Sequence, residues 1–314
     1  MLGANAPFIN GGDVENKGYE IVVSWNDRIG KDFSYNISAN FSHNKNEVTR
    51  LANSEGIIHG ENNAIAQNTA ELYRLQVGYP VGYFWGYQME GIIQNEQDLQ
   101  NYLDKHCKGD KANSLQGSSL QPGDVKFVDF NKNGKIDKDD KDKTMIGDPN
   151  PDFTVGLSIS LAYKGFDLGL NGYGSFGQQV AKSYRQFSDH PDDNYCTDVY
   201  TKYWTGEGST NRYPRFSDGK NVNMSEISPV WIEDADFFKI SRLSFGYDFK
   251  RLFKSLPVQK LRLYVSASNM ITFTKYSGMD PEVGFNNGTK WASGIDNGYY
   301  PAAKSWQVGL NVNF

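Results

Sequence analysis

No stretch of 18 apolar residues runs unbroken anywhere in this 314-residue chain. That excludes a membrane-crossing helix but not a membrane-crossing barrel, whose strands each carry a weaker signal. Cysteine is nearly missing. Cys107 and Cys196 stand in polar surroundings with no CxxC or histidine spacing, and a disulfide between two loops and two unrelated thiols both stay open. The net charge of −5 offers no basic surface for nucleic acid. Residues Met1 to Gly12 lack both the basic and the apolar region of a signal peptide, which leaves a cytosolic protein or a chain missing its beginning. His43, His59, His106 and His190 show no ligand spacing. No Ser/His/Asp arrangement, nucleophile elbow or phosphate-binding glycine loop occurs either, so the sequence makes no case for an enzyme.

What the chain does hold is aromatic. Hydrophobic residues reach only 38%, yet 14% of all residues are Phe, Trp or Tyr, and glycine contributes 32. Few aliphatics with many Tyr, Phe, Gly and Asn is the composition of a β-barrel or a glycan binder rather than a helical protein. The last ten residues show the underlying pattern. Trp306, Val308, Leu310, Val312 and Phe314 alternate with Ser305, Gln307, Gly309, Asn311 and Asn313, so every apolar side chain leaves one face of a strand. The length suits the ~9–11 residues a tilted strand needs to cross a bilayer.

The same alternation returns six times: at Gly18–Trp25, from Phe33, at Asp152–Tyr163, from Phe166, at Phe237–Phe249 and at Lys260–Thr274. Its second face is made of Ser, Asn and Gly, where a soluble sheet usually carries Lys, Glu and Thr; that suggests a water-filled or crowded lumen. The stripe at Asp152–Tyr163 is aromatic at both ends, as two interfacial girdles require. The connections alternate strictly. Short ones lie around Asp27–Lys31, Lys164–Gly165 and Lys250–Gln259, and long ones span Asn44–Pro151, Gly174–Asp236 and Lys275–Ala303. Outer-membrane barrels have short periplasmic turns and long outer loops. Counted back from a terminal strand ending in the periplasm, each connection falls on the matching side. The expected fold is all-β: about seven strands of a transmembrane antiparallel barrel with long extracellular loops. Seven strands leave an unpaired first edge, which lipid does not tolerate, so the chain reads as the C-terminal part of a larger barrel.

Residues Asp129 to Asp140, within the long extracellular loop expected over 44–151, match a calcium-loop pattern. Asp129, Asn131 and Asn133 are its first, third and fifth positions, Gly134 permits the sharp turn, and Lys135 offers its carbonyl at the seventh. Ile136 is the apolar anchor, and Asp137 and Asp140 are the ninth and twelfth positions. A twelfth Asp is shorter than the usual Glu, and Lys132, Lys135 and Lys138 dilute the negative charge. Both imply weak affinity, suited to extracellular Ca²⁺ acting as a structural staple. A solvated Asp/Lys turn that binds nothing is the plain alternative, and helices flanking the loop are not evident. Trp85, Tyr87, Trp204, Trp231 and Trp291 fall in the expected outer loops, where they either stack on sugar rings or pack among themselves. Asp280 and Glu282 suggest a glycosidase pair, but a polar turn explains them equally.

Several segments occur in a telling order: NKGYEIVVSW (16–25), VGYPVGYFWGYQMEGIIQNEQD (77–98), PGDVKFVDFNKNGKID (122–137), IGDPNPDFTVGLSISLAYKGFDLGLNGYGSFG (146–177), YVSASNMITFTKYSGMDPEVG (264–284) and the terminal strand. This series resembles the C-terminal part of the SusC/RagA family of TonB-linked outer-membrane proteins, from about Gly12 to Phe314. The resemblance implies a share of a ~22-stranded barrel. It also implies import of glycans or peptides driven by TonB, beneath a lid formed by a SusD-like surface lipoprotein, in the outer membrane of Bacteroidota. The plug and TonB-interacting segment of such proteins do not occur in this sequence. The competing expectation is a secreted, calcium-stapled β-rich module that holds glycans through its loop aromatics.

Overall fold

The computed structural model describes residues 10–184, 197–216, 222–284 and 291–314. Period-two alternation becomes one antiparallel meander of seven strands: β1 (Gly12–Ile29), β2 (Phe33–Leu51), β3 (Phe153–Tyr163), β4 (Phe166–Phe176), β5 (Phe237–Asp248), β6 (Lys260–Thr274) and β7 (Ser305–Asn313). Spatial order follows chain order, so each strand pairs only with its sequence neighbours, and among the described residues the sheet does not close on itself. All seven expected strands are present. β1 and β2 run further than the alternation implied, to 18 and 19 residues, because their pairing continues through the polar stretch Asn44–Leu51. At its far end Val48 is wholly buried and exchanges backbone hydrogen bonds with the 78–79 turn.

The sheet has two chemically distinct faces. Pairing sets Ile37 opposite Ile159, Leu170 opposite Leu243, and Val265 opposite Val308 on one face. On the other, Ser24 meets Ser38 at 2.8 Å and Ser158 donates to Asn171 at 2.9 Å. An Arg262–Asp167 ion pair joins them there. Gly156 belongs to this crowded polar face, since a Cβ there would fall 2.0 Å from Asn40 Oδ1. The apolar face is open even in the middle of the sheet, where Phe245 is 53% and Leu263 42% exposed. An apolar surface continuous over seven strands exceeds what a soluble monomer leaves in water.

Aromatic rings collect at both ends of the apolar face. Tyr19, Phe41, Phe153 and Phe176 stack in series at one end, with centroids 5.0–5.9 Å apart. Phe33 with Tyr163, and Phe166 with Phe245 and Tyr247, cluster at the other. The His43–Phe153 and Phe33–Tyr163 pairs mark the two ends and lie ten residues apart along β2. Ten residues at ~3.3 Å each, tilted by ~40°, span about 25 Å, the height of an outer-membrane apolar band. The β3–β4 turn is a two-residue hairpin with positive φ at Lys164 and Gly165, whose twist matches the strands it joins.

The long connections are not open loops. Residues 57–59, 73–76, 83–87 and 143–147 form a four-stranded sheet, and 89–92 pairs with 125–127. A third sheet joins 179–182 to 232–234 and 295–296, mixing the second and third connections. Helix α1 (Glu96–His106) begins where the Asn95 side chain accepts from Asp98 N–H, with acids in its first turn and bases in its last. It buries Leu99, Tyr102, Leu103 and His106, one face at helical spacing. Together these elements enclose a main apolar core drawn from all three connections, with a smaller cluster of Val180, Ala235 and Tyr276 beside it. They form a cap over the end of the sheet where the short turns are not.

Candidate calcium loop within the cap

The strand Val125–Phe127 delivers the chain to Asp129, which is 6% exposed. Asp129 Oδ1 accepts from Asn133 N–H at 3.1 Å and Oδ2 from Gly134 N–H at 2.6 Å. Asn131 Oδ1 accepts from the same Asn133 N–H, and Asn133 Oδ1 from Lys135 N–H. These bonds curl the chain around the side-chain oxygens, and the curl needs Gly134. Its φ is +84°, and a Cβ there would strike the Lys108 stem at 2.2 Å. Ile136 anchors the loop in the cap core and donates its N–H to Asn113 O. Tyr87 Oη donates to Asp137 O at 3.0 Å.

Asp140, the expected twelfth position, has other partners in the cap. Asp140 turns away from the loop to Arg74, with Lys143 also close. Arg74 is 2% exposed, lies 4.1 Å over the Trp85 ring and also engages Glu71. A buried guanidinium needs carboxylates around it, and Asp140 supplies one. Burial opposes ionisation of Asp140, yet the hydrogen bond and charge of Arg74 hold its carboxyl below the usual range. Asp142 lies two residues further on. Wholly buried, it accepts from Asn131 N–H at 3.2 Å and from Asp137 N–H at 2.7 Å, tying the two arms of the loop together.

Asp137 is shared, with Asn133 Nδ2 at 3.2 Å and Lys135 Nζ at 2.9 Å; Lys135 first and Asn133 second hold its carboxyl below the usual range. Among the described residues no three His, Cys, Asp or Glu side chains form a ready metal cage. The donors gathered here are of another kind: carboxylates of Asp129, Asp137 and Asp142 with amide oxygens of Asn131 and Asn133. Hard oxygens of this mix suit calcium. Asp129 and Asp142 are buried without an ion pair among the described residues, so a cation between them would relieve two uncompensated charges.

The aromatic candidates are cap core. Tyr87 and Trp231 are fully buried, and Trp85 is 8% exposed beneath Arg74. Trp204 packs against the core and donates to Gln94, while Trp291 sets its edge against Tyr73. Trp85, Tyr87 and Trp231 are thus closed off, while Trp204 and Trp291 stay partly exposed. Asp280 and Glu282 both meet Lys239, a buried β5 residue, and Tyr173 also donates to Glu282. They latch the third connection onto the sheet's polar face. Cys107 is a free, buried thiol, and Cys196 lies outside the described residues. Sequence reasoning missed Asp142, the Arg74 hub, and a junction where Tyr184, Ser277 and Lys182 meet around Glu233. Buried charges inside long polar connections would have been the only cue.

No protein-family model matches the chain. Curated relatives do. TonB-dependent receptor P3 of Formosa agariphila is 30% identical over 318 residues, taking in 99% of this chain and 30% of that protein. TonB-dependent receptor SusC of Bacteroides thetaiotaomicron is 26% identical over 310 residues, 97% of this chain and 27% of SusC. The solved structure of the RagAB peptide transporter superposes with a TM-score of 0.66 at 21% identity, covering 97% of this chain and 30% of that one, so the fold is shared. These relatives are receptors and transporters rather than enzymes, and receptors of this type are outer-membrane proteins. The chain therefore spans about three-tenths of the relatives it matches, and along almost all of its own length it is a SusC/RagA-like chain of the TonB-dependent receptor type.

Proposed function

We propose that this chain supplies wall and extracellular cap to a TonB-dependent importer of glycans or peptides. It works beneath a SusD-like surface lipoprotein, and TonB engages residues outside the chain. One observation carries the reading. A seven-strand meander has one face for lipid and one for a polar lumen, and its three long connections gather at one end into a single packed body. The wall is passive, selectivity comes from lumen and cap, and the cap core aromatics act by shaping the mouth rather than by touching substrate.

Calcium in this reading is a structural staple. Asp129, Asn131, Asn133, Asp137 and Asp142 supply side-chain oxygens and Lys135 its carbonyl. Bound there, the ion holds two arms of the first connection together beside the cap core. Envelope fractionation tests the wall: the chain should pellet with envelopes and require detergent. Recovery as a folded soluble protein that binds polysaccharide would favour the secreted module instead. Thermal unfolding in detergent with calcium or chelator tests the staple.

A further inference from the structure

Resting on the importer reading, we infer that the free edge of the cap strand 143–147, with the groove beside it, takes an extended peptide as an added strand. Peptide rather than glycan is then the substrate class of this chain. Residues 125–128 and 143–147 run antiparallel to successive stretches of one segment, 88–92 and 83–87. Side chains cap the first of the two. Tyr102 Oη donates to Phe127 O at 2.9 Å, Gln116 Nε2 donates to Val125 O at 2.8 Å, and Val125 N–H donates to Asn223 Oδ1 at 2.9 Å. The second is the last strand of the four-stranded cap sheet. Among the described residues no strand, loop or side chain bonds the backbone of Thr144, Met145 or Ile146 beyond its pairing with 83–87. A row of such donors and acceptors on one edge is the template that strand addition uses.

A groove of about 620 Å³ adjoins this edge, lined by Met89, Val128, Met145, Ile146 and Pro229, all half-buried. None of the residues lining it is aromatic, so it has no ring to stack on a sugar. Methionine instead adapts to apolar side chains of varied shape. An added strand turns alternate side chains toward such a groove while its backbone is read by the edge. Two carboxylates stand at the rim. Glu90 is engaged by Lys105 and His106. Asp148 accepts from Asn150 N–H at 2.9 Å and from Asn150 Nδ2 at 2.7 Å, and among the described residues it forms no ion pair. A lysine side chain of the peptide supplies that partner.

Fluorescence polarisation with the full chain, extracted from envelopes in mild detergent, tests this. The probe is labelled Val-Leu-Thr-Lys-Val-Leu-Ser, run beside the same peptide methylated at every internal amide nitrogen, with maltohexaose as competitor. The plain peptide should bind, and methylation should weaken it by about tenfold or more, because each blocked amide loses a strand bond. Maltohexaose should not displace it. Asp148→Asn should weaken the plain peptide but not its analogue with norleucine in place of lysine, and Met145→Lys should weaken both. Hydrogen exchange over 143–148 should slow when peptide is added. Equal binding of plain and methylated peptides, displacement by maltohexaose, or unslowed exchange overturns the inference. Heat-modifiable migration of each variant confirms folding. A chain that needs no detergent overturns the importer reading and the substrate role with it, whereas a detergent-requiring chain blind to the peptide overturns the groove alone.

Discussion

The wall and the cap solve opposite problems with the same strands. In the wall, apolar side chains face outward and the inward face is Ser, Asn and Gly; in the cap, apolar and aromatic side chains converge on a common core. A wall strand is satisfied by its backbone neighbours and a solvent of lipid. A cap segment must find distant partners: Tyr87 N–H bonds Ile227 O, Ser183 bonds Ile65 O, and Asn297 bonds Ala64 O. Local pattern governs the first and long-range packing the second.

That contrast can be broken by substitution. Trp231→Ala removes the largest fully buried side chain of the cap, at ~3–5 kcal/mol for such truncations. Arg74→Ala removes the guanidinium that Glu71 and Asp140 share and leaves them only His59 and Lys143, at a smaller ~1.5–3 kcal/mol. Both should raise hydrogen exchange across the cap while the wall stays protected; uniform loss would mean the two regions unfold as one. In the wall, Leu243→Arg on the lipid face should cost ~2–4 kcal/mol near mid-membrane, whereas Ser244→Arg on the lumen face costs far less. Refolding titrations into vesicles measure the difference, and equal costs would erase the distinction between faces.

Smaller effects sharpen the cap. Asp142→Asn should remove any rise of melting temperature with calcium, while Asp140→Asn lowers the baseline through Arg74 and keeps the calcium response. The reverse result would restore Asp140 as the closing ligand. The mildest effect is from pH. Glu71 above all, with Glu55 adding to it, raises the His59 pKa above 6.5 against partial burial and the Arg74 charge. The protonated imidazole thus contributes stability that is full below pH 6.5 and lost as pH rises through the raised folded value. His59→Gln should flatten that portion of the cap's stability–pH curve. The site is partly exposed, so screening keeps the effect small.

The wall was readable from the chain alone. Alternation at Phe153–Tyr163 or Ser305–Phe314 needs only two residues' memory, and strands joined by short turns can pair only with their neighbours. Even the alternation of short and long connections survived intact. Resemblance through the ordered segments supplied the family, and sequence relatives agree with it. The candidate calcium loop was half readable. Asp129, Asn131, Asn133 and Gly134 are set by local turn geometry, but the closing carboxylate depends on a competitor 66 residues away.

Sequence by itself therefore determined which residues face lipid and which face a lumen, because side-chain direction in a strand is fixed by backbone geometry one residue at a time. Tertiary structure alone decided that Trp231 and Tyr87 are core rather than platform, and that Asp280 and Glu282 grip Lys239. It also decided that Asp142 rather than Asp140 accepts the backbone hydrogen bonds that tie the loop's two arms together. In each case a buried ring or charge takes its role from whichever partner the fold brings to it, and no local spacing records that choice.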